Sequence, residues 1–138
     1  MKFESEANAP IVDPSELEIR DGIERIDGKE NSFAILSIDE MTYMQTTGSP
    51  SAGFRLEYQE GSLDQRWKTH GRTVSQSEAI AAFLSYRNQD SHWKRELQWE
   101  KEDLSEEDPQ KPNGGCLSLV VLGAGALGTL LILGMRMA

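Results

Sequence analysis

Apolar residues are spread unevenly along the chain of 138 residues, and their densest run lies near the C-terminus. Residues 116–135 read CLSLVVLGAGALGTLLILGM and contain no charged side chain. A helix needs about 20 such residues to cross a hydrocarbon core of about 30 Å. A helix buried in a protein core would show polar positions along one face, and this run shows no such face. The pattern therefore predicts one transmembrane helix over residues 116–135, followed by a short tail, 136–138.

The small residues of this run bear on how the predicted membrane helix packs. Ala124 and Gly128 are four residues apart, a spacing that allows two membrane helices to approach closely, so a homodimer through the tail is one hypothesis. Ordinary glycine content in a membrane helix also explains these residues, and it is favoured over a dedicated dimer face. Cys116 lies at the predicted membrane boundary, where it is either a lipid acceptor or an inert thiol.

The N-terminal sequence bears on the orientation of the predicted membrane protein. Residues 1–10 read MKFESEANAP, which is acidic and lacks the apolar segment of a signal peptide. We therefore expect a tail-anchored, single-pass protein whose soluble domain lies in the cytoplasm.

Two polar segments flank a patterned middle region. Residues 105–115 read SEEDPQKPNGG, and their acids, prolines and glycines predict a flexible acidic linker. Residues 1–11 are mostly polar and are predicted to be disordered. The region between these two segments, residues 12–104, is predicted to be one folded domain. It is long enough for a modest hydrophobic core.

The folded region opens with signals for a helix. Asp13 is predicted as the N-cap and Pro14 as the first helical residue, with Val12 and Leu17 forming a hydrophobic staple across the cap. The buried stripe of this helix is predicted to be Ile19, Ile23 and Ile26.

A second helix is predicted after Val74, where Ser75 and Glu78 have the spacing of a capping box. Its buried stripe is predicted to be Ala79, Ile80, Phe83 and either Tyr86 or Arg87.

Five segments have the pattern of strands, four of them between the helices and one after the second helix. Alternation of apolar and polar residues is clearest from Phe54 to Gln59, which pairs with Leu63–Lys68 as a hairpin. The others are residues 33–38, 42–46 and 93–99. This order of elements predicts an α+β fold with an antiparallel sheet of about five strands and two helices, followed by the acidic linker and the transmembrane helix.

Charge and cysteine content exclude several classes of function. The chain has 14 Lys and Arg against 23 Asp and Glu, a formal net charge of −9, which argues against nucleic-acid binding. The single cysteine excludes an intramolecular disulfide framework and a CxxC zinc site.

The sequence predicts no catalytic residue, no metal site and no cofactor. His70 and His92 lack the spacing of a metal site or a catalytic triad, and both are expected at the surface. The glycines of residues 123–128 match a GxGxxG pattern, but no acid follows Gly128 as a dinucleotide site requires. The paired acids Glu57/Glu60 and Glu100/Glu102 alternate with apolar residues, as on a solvated sheet face.

Charged residues that alternate with apolar ones along the last strands form a candidate partner-binding face, which we expect to be net acidic and to attract a basic partner. An ordinary solvated sheet face explains the same residues. The candidates are Arg55, Glu57, Asp64, Arg66, Lys68, Glu96 and Glu100.

The region from Phe54 onward resembles a known family. Residues 54–62 (FRLEYQEGS), the helix to Tyr86 and residues 93–104 (WKRELQWEKEDL) are similar to small bacterial domains related to the first numbered family of immunity proteins in polymorphic toxin systems. The resemblance spans about residues 14–104 and lies in the order of elements and in the terminal Trp-x(5)-Trp-Glu pattern. It implies a non-catalytic domain that neutralises a cognate toxin, often a deaminase or nuclease, by binding it.

The predicted function is therefore a non-catalytic, membrane-tethered, protein-binding domain. One alternative is a small enzyme with a dispersed site, which a cleft containing His70 or His92 with carboxylates within hydrogen-bond reach would favour. The other alternative is a structural protein that assembles through its membrane tail.

Overall fold

A computed structural model of the chain describes residues 1–102. Over these residues, none of the helices is long and apolar enough to cross a membrane. The predicted features that fall outside the described residues are the linker (105–115), the transmembrane helix (116–135) with Cys116, Ala124 and Gly128, and the tail (136–138).

The described residues form one antiparallel sheet with helices packed on it, which confirms the predicted α+β class. The sheet has seven strands in the order β2-β1-β3-β4-β5-β6-β7, and every neighbouring pair is antiparallel. The elements are β1 (Lys2–Ser5), β2 (Ile11–Val12), α1 (Glu16–Glu24), β3 (Phe33–Asp39), β4 (Thr42–Ser49), β5 (Gly53–Glu60), β6 (Arg66–Thr69), α2 (Gln76–Arg87), α3 (His92–Glu96) and β7 (Trp99–Lys101).

The N-terminal segment is ordered, contrary to the predicted disorder of residues 1–11. Strand β1 pairs with β3, and the short strand β2 pairs with β1 as a hairpin, which adds two strands to the five expected. Phe3 on β1 is only 2% exposed, and its ring packs edge-on against Phe83 at 6.4 Å between centroids. One buried aromatic ring and a partner strand hold in place a segment whose composition is otherwise polar.

Helix α1 begins two residues later than predicted. Its N-cap is Ser15, whose hydroxyl accepts from the Glu18 N–H at 3.1 Å, while the Glu18 carboxylate accepts from the Ser15 N–H at 2.9 Å. Asp13 instead has a left-handed backbone (φ 52°) and pairs with the N-terminal amine of Met1 at 3.2 Å.

The hydrophobic staple predicted across this cap is absent, because Val12 and Leu17 are 73% and 64% exposed. The predicted stripe is confirmed for Ile19 and Ile23. Ile26 is buried too, but it lies after the C-cap Arg25, because α1 ends at Glu24.

Helix α2 begins as predicted, with a reciprocal capping box between Ser75 and Glu78. Arg72 also donates to the Glu78 carboxylate, and this bond lowers the pKa of Glu78 to about 2. The buried face of α2 consists of Ala79, Ile80, Ala82, Phe83 and Tyr86, so Tyr86 rather than Arg87 completes the stripe.

The segment predicted as one strand from Trp93 to Trp99 is a short helix followed by a short strand. Asp90 accepts from the hydroxyl of Ser85 and from the N–H of His92, so a tight turn directs the chain into α3. Trp93 then points inward, 6% exposed, against the rings of Tyr58 and Trp99. The strand prediction was wrong here because a helix of only five residues buries Trp93 just as a strand would. The apolar pattern therefore does not distinguish the two structures over so short a segment.

The core lies between the helices and one face of the sheet, which we call the inner face. Phe54, Leu56 and Tyr58 of β5 point into it, as their alternation predicted. The predicted hairpin partner also forms, with Glu57 opposite Lys68, although Leu63 lies in the turn and is 60% exposed.

Candidate functional site

The opposite face of the sheet, which we call the outer face, is defined by register. Residues paired across antiparallel strands point to the same side, so Gln45, Glu57, Lys68 and Glu100 form one row across four neighbouring strands. The packing partners found for the helices of residues 1–102 lie on the inner face. The outer-face residues are Lys2, Glu4, Val12, Phe33, Ile35, Ser37, Tyr43, Gln45, Thr47, Arg55, Glu57, Gln59, Arg66, Lys68, Glu100 and Glu102.

The outer face contains five of the seven residues predicted for partner binding. They are Arg55, Glu57, Arg66, Lys68 and Glu100. The structure separates the other two from this face: Asp64 lies in the β5–β6 turn, and Glu96 ends helix α3. Both were grouped with the face on the assumption that alternation continued through the turn and through the segment 93–99.

The outer face is balanced in charge rather than net acidic. Because Asp64 and Glu96 do not lie on this face, its described bases and described acids are equal in number. The bases are Lys2, Arg55, Arg66 and Lys68, and the acids are Glu4, Glu57, Glu100 and Glu102. Positive and negative side chains alternate along the row of Glu57, Lys68 and Glu100. The electrostatic potential of the outer face therefore changes sign along this row.

A half-buried polar network occupies the centre of the outer face. Glu57 Oε1 accepts from Gln45 Nε2 at 2.8 Å and from Arg66 Nη2 at 3.3 Å. Arg66 Nε also lies 3.3 Å from Glu102 Oε1, so one guanidinium joins β5 to the end of β7. These bonds fix the directions of long side chains before any partner arrives, which reduces the entropy lost on binding.

Two further polar residues lie on the outer face beside this network, Tyr43 and Gln59, and the sequence analysis does not predict them. The Tyr43 hydroxyl donates to Gln59 Oε1 at 3.4 Å, and Gln59 Nε2 donates to the Met41 carbonyl at 3.0 Å. Burial raises the pKa of Tyr43. The signal was present in the sequence, because Tyr43 and Gln45 alternate with buried Met44 and Thr46, but only the strand register shows that they meet β5.

Neither histidine combines a cleft with a carboxylate bonded to its ring. His70 Nδ1 lies 3.2 Å from Glu100 Oε2, yet both side chains are about half exposed, 57% and 44%. His92 lines a cleft with Glu60 and Asp90, but its hydrogen bond to Asp90 is made by the backbone N–H. Within residues 1–102, no group of three or more His, Cys, Asp or Glu side chains is placed to hold a metal ion.

The outer face is therefore the best-organised polar surface described in this chain.

Comparison of the chain with known protein families, with curated proteins and with solved structures finds no match.

Proposed function

We propose that the chain is a non-catalytic protein-binding module that recognises its partner through the outer face and is held at a membrane by residues 116–135. The observation that carries the binding role is the outer face itself, a sheet surface on which no helix of residues 1–102 packs, with an ordered polar network at its centre. The tether rests on the uncharged apolar run in the sequence.

The outer face suits recognition of a folded protein more than of a small molecule. A stable protein interface buries about 800 Å² on each partner, which requires a broad surface rather than a cleft. Phe33 and Ile35 on β3 are partly exposed and supply apolar area beside the polar network. The alternating charges around Lys68 favour one orientation of a partner with the complementary pattern.

In its most specific form, the proposal follows the resemblance to immunity proteins. The partner is then a toxin, and the domain neutralises it by covering its active site or substrate-binding surface. Because the outer face is balanced in charge, we expect the matching surface of such a toxin to contain both acids and bases.

Reversing two charges on the outer face tests the binding role. We expect the double variant Arg55→Glu/Lys68→Glu to lower the recovery of the native partner at least about tenfold, because like charges then oppose each other across the interface. The measurement is co-purification with the full-length chain from membranes of the native host, with partners identified and quantified by mass spectrometry. Recovery of the partner with this variant at the wild-type level would contradict the proposal that the outer face binds the partner.

The matched control is Arg20→Glu/Arg25→Glu, which makes the same change in net charge. Both arginines are exposed on and just after α1, on the helical side of the domain. This control should retain the partner, and both variants should keep the circular dichroism spectrum of the wild type.

Alkaline carbonate extraction tests the membrane tether. Full-length chain should stay in the membrane pellet, since about 20 apolar residues bury too much area in lipid to be stripped by high pH. A chain ending at residue 115 should move to the soluble fraction. Release of the full-length chain by carbonate would overturn the tether and leave the outer-face proposal intact.

A further inference from the structure

Exposed apolar side chains gather at one end of the sheet. The β3–β4 turn and the β5–β6 turn lie side by side there, joined by a 2.9 Å hydrogen bond from the Gly61 N–H to the Met41 carbonyl. Ile38, Met41 and Leu63, at or beside these turns, are 49%, 38% and 60% exposed. We call the two turns with these side chains the turn end. Large apolar residues grouped at a surface are typical of an interaction site.

Carboxylates surround this apolar group. Asp39 and Glu40 lie in the first turn, and Glu60 and Asp64 border the second. Three bases lie nearby: Lys94 pairs with Glu60 at 2.6 Å, Lys101 lies over the ring of Trp67, and Arg95 of the adjoining cleft donates to the Ser91 hydroxyl. The turn end therefore presents apolar surface within a negative field.

A cleft of about 510 Å³ adjoins the turn end and shares Ile38 and Glu60 with it. Tyr86 and Trp93 form part of its wall. Tyr86 is 7% exposed, and its hydroxyl has no hydrogen-bond partner among residues 1–102. Burial raises the pKa of Tyr86, and the charges of Glu60 and Asp39 raise it further.

Two bases of the chain itself line the same cleft, Lys94 and Arg95, and Lys94 lies against its aromatic rings. The Lys94 ammonium lies 5.3 Å from the Trp93 ring centroid and 5.7 Å from that of Tyr58, with the Glu60 carboxylate beside it. Aromatic faces together with a carboxylate are a favourable environment for a cation. A further cation entering the cleft would meet the unpartnered Tyr86 hydroxyl, which can accept a hydrogen bond from it.

We propose that the turn end and its cleft form a docking site for a basic amphipathic segment of a partner protein. Apolar side chains of the segment cover Ile38, Met41 and Leu63, and its Lys or Arg side chains pair with the surrounding carboxylates. One of these bases donates to the Tyr86 hydroxyl. A membrane is the less favourable occupant, because the same carboxylates would be repelled by anionic lipid headgroups. The site adjoins the outer face at Met41, whose carbonyl accepts from Gln59 Nε2. The variants that test it leave the charges of the outer face unchanged, so its failure can be distinguished from a failure of the binding role proposed above.

A synthetic peptide of about 18 residues, with Leu and Lys at helical spacing and uncharged ends, is the probe. The full-length chain, in nanodiscs of zwitterionic lipid, is titrated into the fluorescently labelled peptide, and the fluorescence anisotropy of the peptide measures binding. The same titration with empty nanodiscs measures binding to the lipid alone. We expect Met41→Ser/Leu63→Ser to weaken binding about tenfold, since it removes the apolar contacts. The matched control, Val12→Ser/Leu17→Ser, removes two exposed apolar side chains elsewhere and should change binding less than about twofold.

Three further arms locate the site. Glu40→Lys/Asp64→Lys should also weaken binding about tenfold, and added salt should weaken binding to the wild type. Tyr86→Phe keeps the ring and removes only the hydroxyl, so it should weaken binding severalfold without unfolding the domain.

The outer-face variant Arg55→Glu/Lys68→Glu should bind the peptide as the wild type does. The proposal is overturned if the apolar or charge variants at the turn end bind normally, if the Val12/Leu17 control loses affinity equally, or if the outer-face variant abolishes binding. Binding that empty nanodiscs fully account for would assign the peptide to the lipid and would also overturn it.

Discussion

Replacing Phe3 by alanine is expected to lower the free energy of unfolding by about 3–5 kcal/mol. The Phe3 side chain is 2% exposed and contacts Phe83 in the centre of the core. It also lies over Gly22 of α1, where a Cβ atom would approach Phe3 Cζ to 2.6 Å. Truncation therefore removes the residue that fixes β1 to α1 and leaves a cavity that the neighbouring backbone cannot fill. Urea denaturation of the full-length chain in mild detergent, followed by tryptophan fluorescence, measures the change.

Lys2→Ala is the matched control for this prediction. It shortens the neighbouring side chain on the same strand, which is exposed and forms a surface ion pair with Glu4. We expect a change of about 0–1 kcal/mol. If Phe3→Ala were as mild as Lys2→Ala, residues 1–11 would behave as the disordered segment that their composition predicts.

Replacing Trp93 by alanine is expected to destabilise the domain by a similar amount, about 3–5 kcal/mol. Trp93 is 6% exposed and lies at the centre of an aromatic cluster. Its ring centroid is 4.6 Å from that of Tyr58 and 5.5 Å from that of Tyr86, both in edge-to-face orientation. Its backbone carbonyl also accepts from Trp99 Nε1 at 3.3 Å, so its position determines where β7 begins. Thermal unfolding measured by near-ultraviolet circular dichroism should show both the lower midpoint and a loss of aromatic signal.

Glu96→Ala provides the comparison on the same short helix, because Glu96 is exposed and ends α3. Its cost should stay within about 0.5 kcal/mol. The opposite order, with Glu96 more costly than Trp93, would contradict the burial of Trp93 in the aromatic cluster.

The local start signals of α2 were readable because they are short-range. Ser75 and Glu78 bond to each other's backbone within one turn, so the capping box forms wherever the helix forms. The stripe from Ala79 to Phe83 follows from helical periodicity in the same way. The hairpin of β5 and β6 was also readable, since alternation and a nearby turn involve neighbouring residues.

Long-range contacts account for the elements that sequence patterns missed. Phe3 is one apolar residue among polar ones, so no periodicity marks β1, and its order comes from contacts with residues about 20 to 80 positions away. Trp93 satisfies a strand pattern and a helix pattern equally, and the turn formed by Ser85 and Asp90 decides between them. The site shows the same limit: Arg66 was predicted, but its partner Glu57 could be identified only from the register of β5 and β6.

By itself, the sequence determined the α+β class, the capping box of α2, the inward side chains of β5 and the predicted apolar span at 116–135, because each depends on residues close together in the chain. The tertiary structure alone decided that residues 2–12 extend the sheet, that Trp93 belongs to a helix, and that Asp64 and Glu96 leave the outer face. It also brought Ile38, Met41 and Leu63 to one end beside the Tyr86 cleft. These outcomes depend on which distant surfaces bury each other, and burial is a property of the packed chain rather than of any local pattern.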